Sequence, residues 1–407
     1  MKNETNERID RFRILLEKSG IDAALLMHPR DVFYYAGTMR PASLLVTKDA
    51  AVLFVRRGYD RAWREATIKR VQLSAGFDSI AKILDSSGGQ LGTELDVVPV
   101  QLVQRLAATF PDWSLADVSP LVLTQRSVKD LDEISTIRQA AGIADDALRL
   151  APEYIDVGVT ELELATEVEM VMRAAGHEAH VPIRSRNMVM GGVLVMSGTN
   201  LAIRGGYGRV VTGAGLSPAM PYGPSRREFR LRNLVVVDAN VTFEGYSADA
   251  ARTFVVGEAT PGNKVLHSVA LAAEDAVFQA LKPGVTGAEL FAVAETVVKE
   301  GSRPYYAQGS LALPEFVGHG VGLEADELPV LDARETLVMM PGMTLAIEVE
   351  VSAISTRKMV KIEDTVLVTE DGFELLTSAP RELIECEVEV LESDAEATEG
   401  EVEVSES

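Results

Sequence analysis

Charged side chains set inside apolar, β-branched runs are the feature of this 407-residue chain that most restricts its fold. The stretch from Leu231 to Gly257, LRNLVVVDANVTFEGYSADAARTFVVG, holds two such runs: Leu234 to Val237 ends on Asp238, and Thr253 to Val256 follows Asp249. Branched residues favour strands, and Phe243-Glu244-Gly245-Tyr246 supplies a turn between them. Antiparallel pairing of the two runs would carry Asp238 and Asp249 towards one point. Two ionised carboxylates are costly to bury together, and a metal ion relieves that cost. The plainer arrangement is a strand end at Asp238 and a turn cap at Asp249.

Three more donors stand in similar settings. His319 lies between glycines in VGHGVGLEADELP (Val317 to Pro329), Glu348 inside MTLAIEVEV (Met343 to Val351), and Glu363 inside VKIEDTVLV (Val360 to Val368). A carboxylate in a half-buried strand needs a partner, because its desolvation costs several kcal/mol. Four carboxylates and one imidazole make a set rich in hard oxygen. Such a set suits two divalent cations about 3.5 to 4 Å apart that share bridging carboxylates.

The order Asp, Asp, His, Glu, Glu, within DANVTFEGYSADAARTF, GHGVGLE, AIEVE and IEDTVLV, resembles the methionine aminopeptidase, Xaa-Pro aminopeptidase, prolidase and creatinase superfamily from about Val128 to Thr377. The N-terminal part resembles the smaller leading domain of prolidases and creatinases. The resemblance implies an α+β chain with a smaller α/β N-terminal domain over 1–125, a pita-bread catalytic domain over 126–385, and an acidic, disordered tail over 386–407. It further implies that Asp249 and Glu363 bridge two metal ions, that Asp238 chelates one, and that His319 and Glu348 complete the other. Mn²⁺ or Co²⁺ would fill the pair, with Fe²⁺ or Zn²⁺ as further choices. The implied activity is that of an Xaa-Pro aminopeptidase or prolidase-like metallopeptidase, in which a hydroxide bridging the ions attacks the scissile carbonyl of a small peptide and Glu348 shuttles the proton. By the same resemblance the protein is a homodimer through its N-terminal domain.

Two positions depart from the pattern. Peptidases of this superfamily carry two further histidines that contact substrate, and at the matching places this chain has Tyr222 (in Met220-Pro221-Tyr222-Gly223) and Asp326. A neutral imidazole donates to a developing oxyanion; an ionised Asp326 cannot, although Tyr222 can. Asp326 would instead favour a cationic or hydrogen-bond-donating substrate group. The alternative reading is therefore a non-peptide small-molecule hydrolase or lyase of the same fold, and a third is a binding protein without turnover.

An internal repeat is visible without the family. Gly158-Val159-Thr160-Glu161-Leu162-Glu163-Leu164 resembles Gly284-Val285-Thr286-Gly287-Ala288-Glu289-Leu290, and each places Thr as the N-cap of an amphipathic helix. Two facing halves would then hold Asp238 and Asp249 on one side of a cleft and His319, Glu348 and Glu363 on the other. Ser127 to Leu150 reads as one long helix, with Ile134, Ile137, Ala141 and Ala144 at helical spacing.

Composition narrows the classes of partner. A hydrophobic content of 47% is ample for two or three domains. The formal charge of −22 comes partly from the acidic end after Glu382, but the body is acidic as well, which argues against nucleic acid. The charged opening residues and the lack of a long apolar run point to a cytoplasmic protein with no membrane partner, and the single Cys386 fits a reducing compartment. His28, His177 and His180 read as structural. The glycine-rich run Gly205 to Gly208 reads as a loop near the pocket, where Arg204 and Arg209 could hold a substrate carboxylate, although solvated surface arginines are the commoner case.

Overall fold

The computed structural model describes residues 6–74, 76–84, 88–184, 190–204, 206, 210–301 and 310–388. The chain forms two compact units, one from the segment up to Arg126 together with Arg184, the other from Ser127 onward.

In the first unit α1 (Glu7–Lys18) is capped by Asn6, whose side chain accepts the Arg8 and Ile9 N–H groups, and buries Ile9, Phe12 and Leu16 on one stripe. It is followed by β1 (Ala23–Leu26), α2 (Pro29–Ala36), β2 (Ala42–Thr47), β3 (Ala51–Val55), α3 (Tyr59–Glu65), β4 (Val71–Leu73), α4 (Asp78–Ala81), β5 (Gly89–Thr93), α5 (Val100–Thr109), β6 (Trp113–Asp117) and α6 (Ser119–Ser127). The six strands lie in the order β4-β3-β2-β1-β5-β6. Only β2 runs against the others. One face buries Leu25, Leu45, Phe54 and Leu91 beneath Ile80 of α4 and Leu106 of α5.

The second unit opens with α7 (Leu131–Leu150). The helix expected to begin at Ser127 begins at Leu131, because Asp130 holds the chain in an extended conformation ahead of it. Its carboxylate caps the Asp132 and Glu133 N–H groups, and the Glu133 side chain reaches back to the Asp130 N–H. After α8 (Glu161–Ala174) and β7 (Val193–Ser197) comes the hairpin β8 (Leu234–Phe243) and β9 (Tyr246–Val256). Its two-residue loop, Glu244 and Gly245, has both residues at positive φ (47° and 84°), the conformation whose twist matches paired strands. Then follow α9 (Pro261–Ala280), α10 (Gly287–Glu300), β10 (Leu311–Ala312), β11 (Phe316–Gly320), β12 (Glu327–Asp332), β13 (Thr344–Ala353), β14 (Lys358–Val368), β15 (Phe373–Leu375) and β16 (Ile384–Cys386). Thr160 and Thr286 each close a capping box, with Glu163 and Glu289, at the starts of α8 and α10.

The strands of the main path run β12-β11-β13-β14-β9-β8-β7. Alternation divides this sheet. Ile347, Val349, Val351, Val360 and Ile362 join the core with Ala270, Ala273 and Val277 of α9, while the intervening residues of β13 and β14 are charged. Cys386, the first residue of the acidic tail expected over 386–407, lies in β16. Ile384, Glu385 and Cys386 pair in parallel with Phe254, Val255 and Val256, which buries Cys386. The rest of that tail, from residue 389, lies outside the described residues.

Candidate metal centre

Five neighbouring strands each carry one donor: His319 on β11, Glu348 on β13, Glu363 on β14, Asp249 on β9 and Asp238 on β8. Glu348 stands directly opposite Glu363, and His319 is opposite Ala346, two residues before Glu348. In the hairpin Asp249 is opposite Asn240, two residues after Asp238. Since alternate residues share a face, register alone puts Asp238, Asn240 and Asp249 on one side, and likewise Glu348 and Glu363.

The side chains converge. Ligand atoms of Asp249, His319 and Glu363 lie within 4.8 Å of one another, as do those of Asp238, Glu348 and Glu363, so the two triads share Glu363. His319 Nε2 is 3.9 Å from both Glu348 Oε2 and Glu363 Oε1. Its Nδ1 is 3.1 Å from the Gly320 carbonyl, which places the proton on Nδ1 and leaves the Nε2 lone pair facing the carboxylates.

All five groups are buried, and the electrostatics are strongly strained. Burial and then the Asp238 charge push the Asp249 carboxyl well above its ordinary range; burial and then Asp249 do the same to Glu363. Burial alone would lower the affinity of His319 for a proton, but Asp326, Glu348 and Glu363 outweigh it and raise its pKa. Asp249 Oδ1 and Glu363 Oε1 are buried with no hydrogen-bond donor among the described residues. Carboxylate oxygens short of donors, and one imidazole lone pair aimed at them, fit hard divalent cations.

One cation of the chain itself enters the cluster. Lys361 Nζ is 2.5 Å from Asp238 Oδ2, 2.5 Å from Glu348 Oε1 and 3.0 Å from Glu363 Oε2, within one of the two triads. Burial disfavours its charge, yet the surrounding carboxylates raise its pKa well above the usual value. Asn240 Nδ2 donates to Asp249 Oδ2 at 2.6 Å. On the other face Arg252 donates to the Glu363 carbonyl (2.6 Å) and to Asp364 Oδ1 (2.7 Å), fixing the backbone that presents Glu363. Sequence reading missed all three, although Lys361 and Asn240 sit two residues from Glu363 and Asp238 and so had to share their faces.

The remaining candidates divide. Tyr222 is buried in the segment before β8, whose Val211 N–H donates to Glu350 Oε2 at 2.8 Å, anchoring that segment beside β13. Asp326 is exposed, and its charge acts on His319. His177 accepts the Thr242 N–H at Nδ1 (2.9 Å), and His180 is exposed; neither joins a metal triad. Arg204 is exposed, while Gly205, Gly208 and Arg209 lie outside the described residues.

The model of metallopeptidase family M24 matches residues 135–370, more than half of the chain. The chain belongs to metallopeptidase family M24. The Creatinase/Prolidase N-terminal domain model matches residues 8–128 ahead of it. The chain is 29% identical over 384 residues to the Xaa-Pro dipeptidase of Pyrococcus furiosus, covering 93% of this chain and 99% of that one. Among solved structures it is similar to the prolidase of Pyrococcus horikoshii (28% identity, TM-score 0.79, 93% and 100% covered) and the Xaa-Pro dipeptidase of Bacillus anthracis (27%, 0.80, 94% and 99%). This metallopeptidase thus has the expected α+β architecture, a pita-bread domain behind a creatinase-type N-terminal domain, and its family implies divalent metal ions. Among the described residues no helix is long and apolar enough to cross a membrane.

Proposed function

We propose that this metallopeptidase cleaves the bond before proline in dipeptides or at the N-terminus of short peptides, with two divalent ions, Mn²⁺ or Co²⁺, held by Asp238, Asp249, His319, Glu348 and Glu363. The observation that carries the reading is the convergence of five donors into two triads sharing Glu363, with carboxylate oxygens left without donors. The names of the Pyrococcus and Bacillus relatives support the choice of substrate. When bound, the ions supply an acidified water nucleophile near neutral pH and polarise the scissile carbonyl.

Asp249, Glu363 and Asp238 would hold the ions through carboxylate oxygens, and His319 would offer Nε2 because Gly320 holds its other nitrogen. Glu348 accepts the proton of the attacking water and returns it to the leaving nitrogen. The Tyr222 hydroxyl serves as donor to the developing oxyanion. Asp326, exposed beside His319, attracts the ammonium of a free peptide N-terminus. The same two residues favour, as second reading, a non-peptide amide or lyase substrate carrying a cation. A homodimer in the cytoplasm completes the proposal, and light scattering on the full chain tests the dimer.

The deciding experiment is reconstitution with Mn²⁺ or Co²⁺ followed by elemental analysis and a substrate screen. About two ions per chain and turnover of Xaa-Pro dipeptides are expected. Metal uptake with no peptide cleaved would hand the site to the second reading, and no uptake would sink both.

A further inference from the structure

The first unit holds a half-open cavity of about 220 Å³, lined by none of the metal-centre residues. Its origin is a break in the apolar face of the sheet. Leu45 on β2 and Phe54 on β3 belong to the core beneath α4 and α5, but the next residues on the same face are Ser43 and Arg56. Helix α5 repeats the change, with Leu102 and Arg105 turned to the same space. The void therefore has an apolar floor, Phe54 and Ile80, and a cationic rim. It lies at the carboxyl ends of β1, β3 and β4, the end at which open sheets of parallel strands take ligands.

Of the four polar side chains at the cavity, Ser74 is committed, its hydroxyl donating to the Gly76 carbonyl at 2.9 Å, and the other three are unused among the described residues. Arg56 and Arg105 are exposed and form no ion pair or side-chain hydrogen bond among the described residues, in a chain of net charge −22. Arg105 only lies over the Phe77 ring, 5.6 Å from its centroid. Ser43 is buried, and its hydroxyl has no partner among the described residues. Among the described residues no acidic side chain lines the cavity.

We propose that this cavity binds a small monoanion, a carboxylate on a compact apolar body of one ring or one branched chain. The guanidinium groups of Arg56 and Arg105 take the carboxylate, with the Ser43 hydroxyl beside it, and the body lies on Phe54 and Ile80. Size agrees, since an apolar cavity of about 150 Å³ accommodates benzene. Free amino acids, the products of a dipeptidase, are disfavoured because their ammonium would meet two guanidinium groups and no carboxylate.

The test uses the full, metal-loaded chain and phenylacetate as probe, read by calorimetry and by ligand-observed NMR. One phenylacetate should bind per chain with a Kd on the order of 0.1–1 mM. Phenylacetamide and phenylalanine should bind at least about tenfold more weakly, since they lose the charge or add an ammonium. The double variant Arg56→Gln/Arg105→Gln changes only exposed side chains and should weaken phenylacetate at least about tenfold while its melting curve stays unchanged. Ser43→Leu, which fills the void, should abolish binding; should it fail to fold, the arginine variant decides alone. Absence of saturable binding, equal affinity for acid and amide, or undiminished binding to the arginine variant, as carboxylate capture at the metal centre would give, each overturns the proposal.

Discussion

Glu161 and Glu363 are both fully buried carboxylates of the second unit, and they differ in one respect. Glu161 accepts from the N–H and Oγ of Ser197, from Asn200 Nδ2, and from the N–H and Oγ of Ser225, at 2.6 to 3.1 Å. The chain satisfies it completely, and it ties the start of α8 to two loops. Among the described residues Glu363 Oε1 has no donor, and Oε2 meets only the Lys361 ammonium. A buried acid saturated by its own protein is a structural fastener; one left short of donors calls for an external cation. The imidazoles differ in how the protein uses Nδ1, as an acceptor in His177 and as a donor in His319. His177 commits its Nδ1 lone pair to the Thr242 N–H, whereas His319 leaves Nε2 facing the cluster.

The largest effect that could break this comparison belongs to Glu363→Gln. Both triads lose the carboxylate they share, so kcat/KM should fall by about 10³ or more, and elemental analysis should show the metal gone. Without metal, the variant should melt no lower than the parent, because Glu363 is already pushed towards its neutral form. A metal-free variant that melts far lower would make Glu363 a fastener like Glu161.

Glu161→Gln should behave in the opposite way. Replacing the carboxylate that answers five donor groups should cost about 1–3 kcal/mol of stability, read as a lower midpoint in urea, with the metal content of the folded protein unchanged. Loss of metal at undiminished stability would erase the distinction.

The smallest effect is a pH dependence at His177. Burial, its largest cause, lowers the pKa of this residue below the ordinary value of 6.5. Above 6.5 both folded and unfolded forms are neutral, and nothing is lost; as pH falls through 6.5 the unfolded chain takes up a proton that the folded form refuses, so stability drops towards acid. In His177→Gln, whose side-chain oxygen still accepts the Thr242 N–H, the melting temperature should change less between pH 7.5 and 5.5 than in the parent. An identical change in both would show that His177 does not set the acid limb.

Much of the centre was legible because charges interrupt apolar alternation, as Asp238, Glu348 and Glu363 do in their strands. Their assembly was not, since it depends on β11, β13, β14, β9 and β8 lying side by side, and strand order is a non-local property. Lys361 and Asn240 were within reach of the period-two rule, but attention to metal ligands passed over a lysine and an amide. The start of α7 was also encoded, in Asp130 and Glu133; helical spacing overrode the cap. The β16 strand was hidden by its acidic surroundings and by a partner, β9, more than a hundred residues earlier.

Lys361 bears on how such a protein is made. Folding must bring four carboxylates together, and an ammonium within 3.0 Å of three of them neutralises part of their repulsion. Part of the charge that this buried cluster needs thus comes from the chain itself, unlike in small metal domains that collapse only around their ion.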